Sequence, residues 1–85
     1  MLKYKNLTAS GLVKTGTGQI WGIVINSNTS GTIKVWDNTS GATTVVFNTM
    51  TLDTTERAIP LFGASFGVGC YVTIGGIADI TVTYE

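Results

Sequence analysis

The side chains that could carry out chemistry in this chain are one cysteine and five carboxylates, and there is no histidine. Without histidine, the chain lacks the commonest general base and every Ser-His or Cys-His nucleophile pair. The carboxylates are Asp37, Asp53, Glu56, Asp79 and Glu85. They are scattered over turn signals, a strand face and the C-terminal end, and 85 residues leave little room for a substrate cleft between two of them. We therefore expect a protein that is not an enzyme.

The lone thiol, Cys70, has no second cysteine with which to form an internal disulfide. It lies on the inward side of a predicted strand, where a thiol behaves as a small hydrophobic side chain. We expect it to be reduced, buried and unreactive. The sequence contains no cluster with metal-ligand spacing, and the glycines at 63, 67 and 69 do not follow the dinucleotide-binding pattern. We expect neither a metal nor a cofactor.

The elements that position these residues are strands. Residues 70–74 (CYVTI) and 78–84 (ADITVTY) alternate apolar and polar side chains, which is the pattern of half-buried strands. The inward residues are Cys70, Val72, Ile74, Ala78, Ile80, Val82 and Tyr84. Gly75-Gly76 lies between the two segments, and a glycine pair signals a hairpin because both residues tolerate positive φ. The sequence therefore predicts two short strands joined by a hairpin.

Turn signals rich in Gly, Asn and Ser recur about every 8–12 residues, as in sandwiches and barrels of short strands. They place strands at residues 3–8, 12–14, 19–26, 32–37, 43–50, 57–61, 70–74 and 78–84, with similar NTSG turns at 28–31 and 38–41. No window shows helical periodicity, and Pro60 would end any helix begun at the cap-like residues 53–56. We predict an all-β fold, a single compact antiparallel β-sandwich (jelly-roll-like) of seven to eight short strands, with residues 1–85 as one domain.

The segment 19–26 breaks the alternation of apolar and polar residues. Trp21, Ile23 and Ile25 fall on one face of the predicted strand, and Ile20 and Val24 fall on the other. A strand that is apolar on both faces needs cover on both. The N-terminal segment could supply the second cover, or a neighbouring subunit or host surface could do so.

Trp36 lies on the polar side of its predicted strand beside Lys34, and Tyr71 is likewise outward. An outward tryptophan is an anchor of the kind that protein interfaces use, and it is also a platform on which sugars stack. The structural alternative is a tryptophan that lies flat on neighbouring threonines. Phe47, Phe62 and Phe66 are predicted to belong to the core.

The charge balance excludes several classes of partner. Five basic and five acidic residues cancel, which leaves no electrostatic footprint for nucleic acid or an anionic membrane. No segment reaches the roughly 18 apolar residues that span a bilayer, and the basic N-terminus has no apolar run after it, so we expect no signal peptide and synthesis in a cytoplasm. Low charge with 44% hydrophobic content indicates surface that associates with other chains.

The whole pattern resembles small virion proteins of tailed bacteriophages. The likeness is carried by residues 18–23 (GQIWGI), 30–37 (SGTIKVWD), 59–61 (IPL), 69–76 (GCYVTIGG) and 78–84 (ADITVTY). The resemblance implies a β-sandwich that acts by binding in the virion, as a capsid decoration or cement protein on the head shell. Its implied partner is the phage major capsid protein or another virion protein, and its implied state is a homo-oligomer, with a trimer favoured.

The alternative reading is a tail, fibre or receptor-binding module that binds a glycan. In either case we expect the interface to lie among the six residues that the sequence singles out as surface anchors or their neighbours. These are Trp21, Ile23, Ile25, Lys34, Trp36 and Tyr71.

Overall fold

The computed structural model describes residues 2–53, 55 and 57–85. These residues form strands joined by turns and loops, and no helix occurs among them, so the all-β prediction is confirmed. The strands are β1 (Lys3–Leu7), β2 (Gly11–Thr15), β3 (Gly18–Trp36), β4 (Val45–Thr51), β5 (Ala58–Phe66) and β6 (Gly69–Tyr84). Nothing in the described residues is a helix long and apolar enough to cross a membrane.

All six strands belong to one antiparallel sheet, in which β3 and β6 are much longer than the others. The strand order is β1-β6-β3-β4, with β2 also paired to β6 and β5 also paired to β3. The sheet therefore has two four-stranded halves that share the long strands. The first half contains β1, the C-terminal part of β6, the N-terminal part of β3, and β5. The second half contains β2, the N-terminal part of β6, the C-terminal part of β3, and β4.

The two long strands change direction together where the halves meet. Ser30 in β3 has φ 52° and Gly76 in β6 has φ 71°, and the register between β3 and β6 shifts between Thr29 and Thr32. A Cβ at Gly76 would lie 2.3 Å from the carbonyl oxygen of Ser30, a distance to which Cβ atoms in proteins do not approach another heavy atom. The bend therefore requires glycine at position 76.

The strand count and the hairpin at Gly75-Gly76 were predicted wrongly. The segments 19–26 and 32–37 are parts of one 19-residue strand, and 70–74 and 78–84 are parts of one 16-residue strand. The glycine pair and the turn predicted at 28–31 form the bend, because β3 and β6 remain paired on both sides of it. The predicted turn at 38–41 lies in the loop between β3 and β4, as expected. The cap-like segment 53–56 includes Thr54 and Glu56, which lie outside the described residues.

One hydrophobic cluster unites the two halves. Fifteen buried apolar residues of the described chain belong to it, from Leu7 on β1 to Val82 on β6. Ile20, Ile23 and Ile25 come from the first half, while Ile33 and Val35 come from the second. Because both halves contribute to the same cluster, the sheet has one shared core. The predicted inward residues of β6 are buried, except Ile74 and Tyr84, which are partly buried and pack against the cluster.

A bulge at Trp21 explains why the segment 19–26 appears apolar on both faces. Ile20 pairs with Tyr84 and Gly22 pairs with Thr83, so Trp21 is an extra residue opposite two consecutive residues of β6. A bulge of this kind reverses which side chains face inward. Ile20, Ile23 and Ile25 are consequently all buried, whereas Trp21 and Val24 are exposed. The prediction that Trp21 shares a face with Ile23 and Ile25 was wrong.

Cys70 is a free, fully buried cysteine, as predicted. Burial, with a smaller contribution from the negative charge of Asp37, raises the pKa of the Cys70 thiol to about 12. Only the thiolate attacks disulfide reagents, so at pH 8 about one Cys70 side chain in ten thousand is in the reactive form.

We therefore expect Cys70 to react with Ellman's reagent at least a thousandfold more slowly in the folded protein than in 8 M urea, where its pKa returns to about 8.5. Cys70→Ala should lower the free energy of unfolding by only about 1 kcal/mol. A native reaction as fast as the reaction in urea would contradict both the burial and the raised pKa.

Candidate docking surfaces

A row of large side chains crosses the outer face of the second half. Leu12 pairs with Tyr71, Tyr71 pairs with Trp36, and Trp36 pairs with Val45. Residues directly opposite each other on neighbouring strands project to the same face. The four residues come from β2, β6, β3 and β4 in turn and all are partly or largely exposed. We call this set the aromatic row.

Trp36 is held in place by three neighbours on the same face. Its indole N–H donates to Thr73 Oγ1 at 2.9 Å, and Lys34 Nζ lies 4.4 Å from the centroid of its ring. A Cβ on Gly41 would lie 3.5 Å from Trp36 Nε1, so the loop between β3 and β4 packs against the indole. The bond to Thr73 lies at the edge of the indole, in the plane of the ring, so it does not place the ring flat on a threonine. Lys34 lies over a face of the ring in a cation–π contact.

Asp37 follows Trp36 and fixes the turn between β5 and β6. Its carboxylate accepts backbone hydrogen bonds from Gly67 at 2.9 and 3.0 Å, from Val68 at 2.8 Å and from Gly69 at 3.3 Å. The N–H groups of Gly67 and Val68 are the main reason that the pKa of Asp37 lies below its usual value of 3.8. The carboxylate thus has a structural role next to the aromatic row.

The outer face of the first half carries a different row. Tyr4 pairs with Thr83, Thr83 with Gly22, and Gly22 with Pro60, which crosses β1, β6, β3 and β5. Tyr4 is 77% exposed at one end of this row, and the middle residues Thr83 and Gly22 are small. The row is therefore a shallow trough with Tyr4 as one wall.

A polar cluster lies beside this trough. Asn6 and Asn26 both donate to Asp79 Oδ1, at 2.8 and 3.2 Å, and Asn26 also donates to Thr81 Oγ1 at 3.0 Å. The carboxylate of Asp79 is therefore bound by two amides. It joins β1, β3 and β6 on the outer face.

The placement of Phe62 on β5 corrects the prediction that it belongs to the core. It is 82% exposed and has φ 60°, whereas Phe66 is buried and Phe47 packs against the core as predicted. Ile20 pairs with Ala64 and Gly22 with Pro60, so three residues of β5 lie opposite the single residue Trp21. A bulky residue at positive φ is an outlier that costs about 1–3 kcal/mol. The backbone of β5 is therefore strained at Phe62, whose phenyl ring lies in solvent.

Trp21 lies on the neighbouring strand β3 and packs against Gly63, the residue that follows Phe62. Its indole N–H donates to Glu85 Oε2 at 3.2 Å, and its ring lies so close to Gly63 that a Cβ there would be 2.8 Å from it. Trp21 is 39% exposed. We refer to Phe62, Gly63 and Trp21 together as the Phe62 knob.

The structure brings three of the six predicted interface residues together and separates the rest. Lys34, Trp36 and Tyr71 meet on the outer face of the second half, while Trp21 lies on the first half. Ile23 and Ile25 are 1% and 3% exposed, so they offer no surface to a partner, which corrects their assignment. The bulge at Trp21 is the physical reason, since it turns both isoleucines into the core.

Sequence reasoning missed several residues of the two surfaces: Leu12, Val45, Phe62 and Tyr4. A signal for one of them was present, because Gly22 and Gly63 are isolated glycines in strand patterns, and such glycines mark bulges. A bulge at Gly63 would have moved Phe62 off the inward face.

Across the described residues there is no group of three or more side chains that could hold a metal ion, and no pocket. Glu56, one of the carboxylates considered above, lies outside those residues. Family models, curated proteins and solved structures yield no match. The two surfaces are therefore the features of the described residues that bear on function.

Proposed function

We propose that this chain is a non-enzymatic virion structural protein of a tailed bacteriophage, a capsid decoration or cement protein that binds and stabilises the head shell through the aromatic row. In this proposal the two halves of the sheet form the two layers of a jelly-roll-like β-sandwich, and the outer face of the second half contacts the major capsid protein. The likeness in residues 18–23, 30–37, 59–61, 69–76 and 78–84 supports the virion setting.

The observation that carries the proposal is the aromatic row itself. Tyrosine and tryptophan dominate binding energy at protein interfaces, especially near the centre of the contact. Trp36 and Tyr71 are adjacent in the row, with Leu12 and Val45 on either side of them. Trp36 is already fixed by Thr73, Lys34 and Gly41, so little side-chain entropy is lost when a partner covers it.

The same contacts weigh against the glycan-binding alternative at this surface. A sugar stacks on an open face of an aromatic ring, and Lys34 Nζ already lies over the Trp36 ring at 4.4 Å. A glycan would have to displace this cation–π contact before it could stack. A protein partner can instead pack against the lysine stem and the edges of the row.

Tyr71→Thr tests the proposal because threonine keeps the strand propensity while removing the ring. We expect the occupancy of this variant on heads that lack the wild-type chain to correspond to about thirtyfold weaker binding, the loss of about 2 kcal/mol that is typical of an interface hot spot. Occupancy is measured by quantitative gel densitometry of purified particles after titration with the variant.

Val45→Thr and Val68→Thr provide a matched pair of controls. Both valines are exposed, but only Val45 belongs to the row, since Val68 lies in the turn after β5. The proposal expects weaker binding for Val45→Thr and unchanged binding for Val68→Thr. Full occupancy by a folded Tyr71→Thr variant would refute docking through the row. Binding to a defined glycan on an array, lost in Trp36→Ala, would favour the receptor-binding alternative.

A further inference from the structure

The ammonium group of Lys34 lies within the area of the aromatic row. Lys34 and Trp36 are two residues apart on β3, so their side chains project to the same face of the sheet. Lys34 Nζ is 4.4 Å from the centroid of the Trp36 ring, and Trp36 pairs with Tyr71 on β6. A partner that covers Trp36 and Tyr71 therefore also covers this ammonium group.

Lys34 has no acidic partner within the described part of the chain. Its contact there is with the ring of Trp36, and no carboxylate of the described residues forms an ion pair with it. Asp37, the nearest carboxylate in the sequence, accepts hydrogen bonds from backbone N–H groups of the turn between β5 and β6. An ammonium group has three N–H donors, and contact with a π face leaves donors that point into solvent. The charge of Lys34 is therefore not neutralised by its own chain.

The surroundings of the row contain no negative charge that could take this role. The second half of the sheet consists of the strand segments 11–15, 31–36, 45–51 and 69–76, which contain two lysines and no acidic residue. The second lysine, Lys14, pairs with the buried Cys70 and donates to the backbone oxygen of Glu85 at 3.3 Å, away from the row. The loop 38–44 is uncharged. The aromatic row therefore has a single positive charge, at Lys34.

This charge constrains what can cover the row. Lysine is depleted at the centres of protein interfaces, because an ammonium group that leaves water without a counter-charge opposes binding strongly. An apolar partner would impose that penalty in full. A carboxylate on the partner offsets it, and charged groups in complementary positions also fix the register of the two surfaces. Charge complementarity therefore favours an acidic group opposite Lys34.

We propose that the partner of the aromatic row presents an aspartate or glutamate carboxylate that binds Lys34, so that the row docks on a surface that is apolar and acidic. The inference rests on the proposed function, because it names the partner chemistry of the same surface. The Trp36 ring holds the ammonium group in place before docking, which reduces the entropy lost on binding. Lys34 is then a residue that determines specificity, since a surface of the same shape without the carboxylate binds less well.

Lys34→Met tests the inference by the sign of its effect on binding to heads that lack the wild-type chain. Methionine keeps an unbranched apolar stem beside the Trp36 ring and removes the charge. A carboxylate opposite Lys34 is then buried without a partner, so we expect binding to be at least about thirtyfold weaker. Without that carboxylate, the variant avoids the burial of an unpaired ammonium group and binds equally well or more tightly. Loss of the cation–π contact at this half-exposed site accounts for only about two- to fivefold.

Two matched variants control for charge and position. Lys34→Arg keeps the positive charge and a side chain that stacks on aromatic rings, so its affinity should stay within about fivefold of the wild type. Lys5→Met removes an exposed lysine from β1 on the first half and should leave head binding unchanged.

Cross-linking detects the ion pair itself. A water-soluble carbodiimide activates carboxylates, and an amine in contact with one forms an amide with it. We expect an amide between Lys34 and an aspartate or glutamate of the head, identified by mass spectrometry of digested particles. Lys34→Arg should occupy the heads without forming this link, because a guanidinium group does not form the amide.

The outcomes separate this inference from the proposed function. If Tyr71→Thr binds weakly while Lys34→Met binds as well as the wild type, the row docks on a surface without the carboxylate and the inference is wrong. Cross-links to the head from Lys5 with none from Lys34 would also overturn it. If a folded Tyr71→Thr variant reaches full occupancy, the row is not the docking surface, and the inference falls with the proposed function.

Discussion

Gly76→Ala should lower the free energy of unfolding by about 3 kcal/mol or more, the largest effect that we expect from any single methyl group in this chain. Two penalties combine at this position. Gly76 has φ 71°, which an alanine adopts only with strain, and the new Cβ would lie 2.3 Å from the backbone oxygen of Ser30. Backbone of a paired strand cannot move aside without breaking the register between β3 and β6. Urea unfolding followed by tryptophan fluorescence measures the change.

Gly16→Ala is the matched control for this prediction. Gly16 also has positive φ, 91°, but a Cβ there would meet no atom within 4 Å. It should therefore show only the backbone penalty of about 1 kcal/mol. Equal losses in the two variants would mean that the close approach of β3 and β6 at the bend contributes nothing.

Asp37→Ala should destabilise the protein by about 2 kcal/mol, which is the scale for losing a strong cap on several backbone N–H groups. The N–H groups of Gly67, Val68 and Gly69 all lose their acceptor. The carboxylate is partly exposed, so water replaces some of these bonds and the loss is smaller than their sum. For a domain of this size the change corresponds to a fall of about 10 °C in melting temperature.

The contribution of Asp37 should also depend on pH. Its pKa is lower in the folded protein than the usual value of 3.8, mainly because of the N–H groups of Gly67 and Val68. The stabilisation is therefore complete above that value and is lost as pH falls through it toward the lower pKa of the folded state. The difference in stability between wild type and Asp37→Ala should be constant from pH 5 to 7 and shrink below about pH 4. A difference that grows on acidification would contradict the hydrogen-bonding pattern.

The alternation in the last fifteen residues predicted which side chains face inward, but the hairpin inferred from the glycine pair was incompatible with that alternation. A two-residue turn at Gly75-Gly76 pairs Ile74 with Ile77, and paired residues share a face. Asp79 would then lie on the face of Val72. The apolar residues instead keep even numbers on both sides of the glycines, which one continuous strand produces. The sequence therefore contained the evidence for the long strand β6.

The candidate surfaces were less predictable because they depend on bulges. Simple alternation assigned Lys34, Trp36 and Tyr71 to outer positions correctly, since β3 and β6 are regular near them. It failed at Trp21, where an extra residue reverses the faces. Phe62, which followed the predicted strand 57–61 and was assigned to the core, is instead lifted into solvent by the extra residues of β5. A bulge is set by how two distant strands fit together, and only the isolated glycines at 22 and 63 mark it locally.

The sharing of β3 and β6 between the halves has a consequence for the order of events during synthesis. β6 is an interior strand of both halves, and its residues extend to Tyr84. Until residues 69–72 have been synthesised β2 lacks the partner strand that the described residues give it, and until residues 80–84 follow β1 lacks its partner too, while β3 lacks one of its neighbours along most of its length. The pairings of β6 with β1, β2 and β3 therefore form after the other strands have been made, and the slow step is the closure of contacts between segments about fifty or more residues apart.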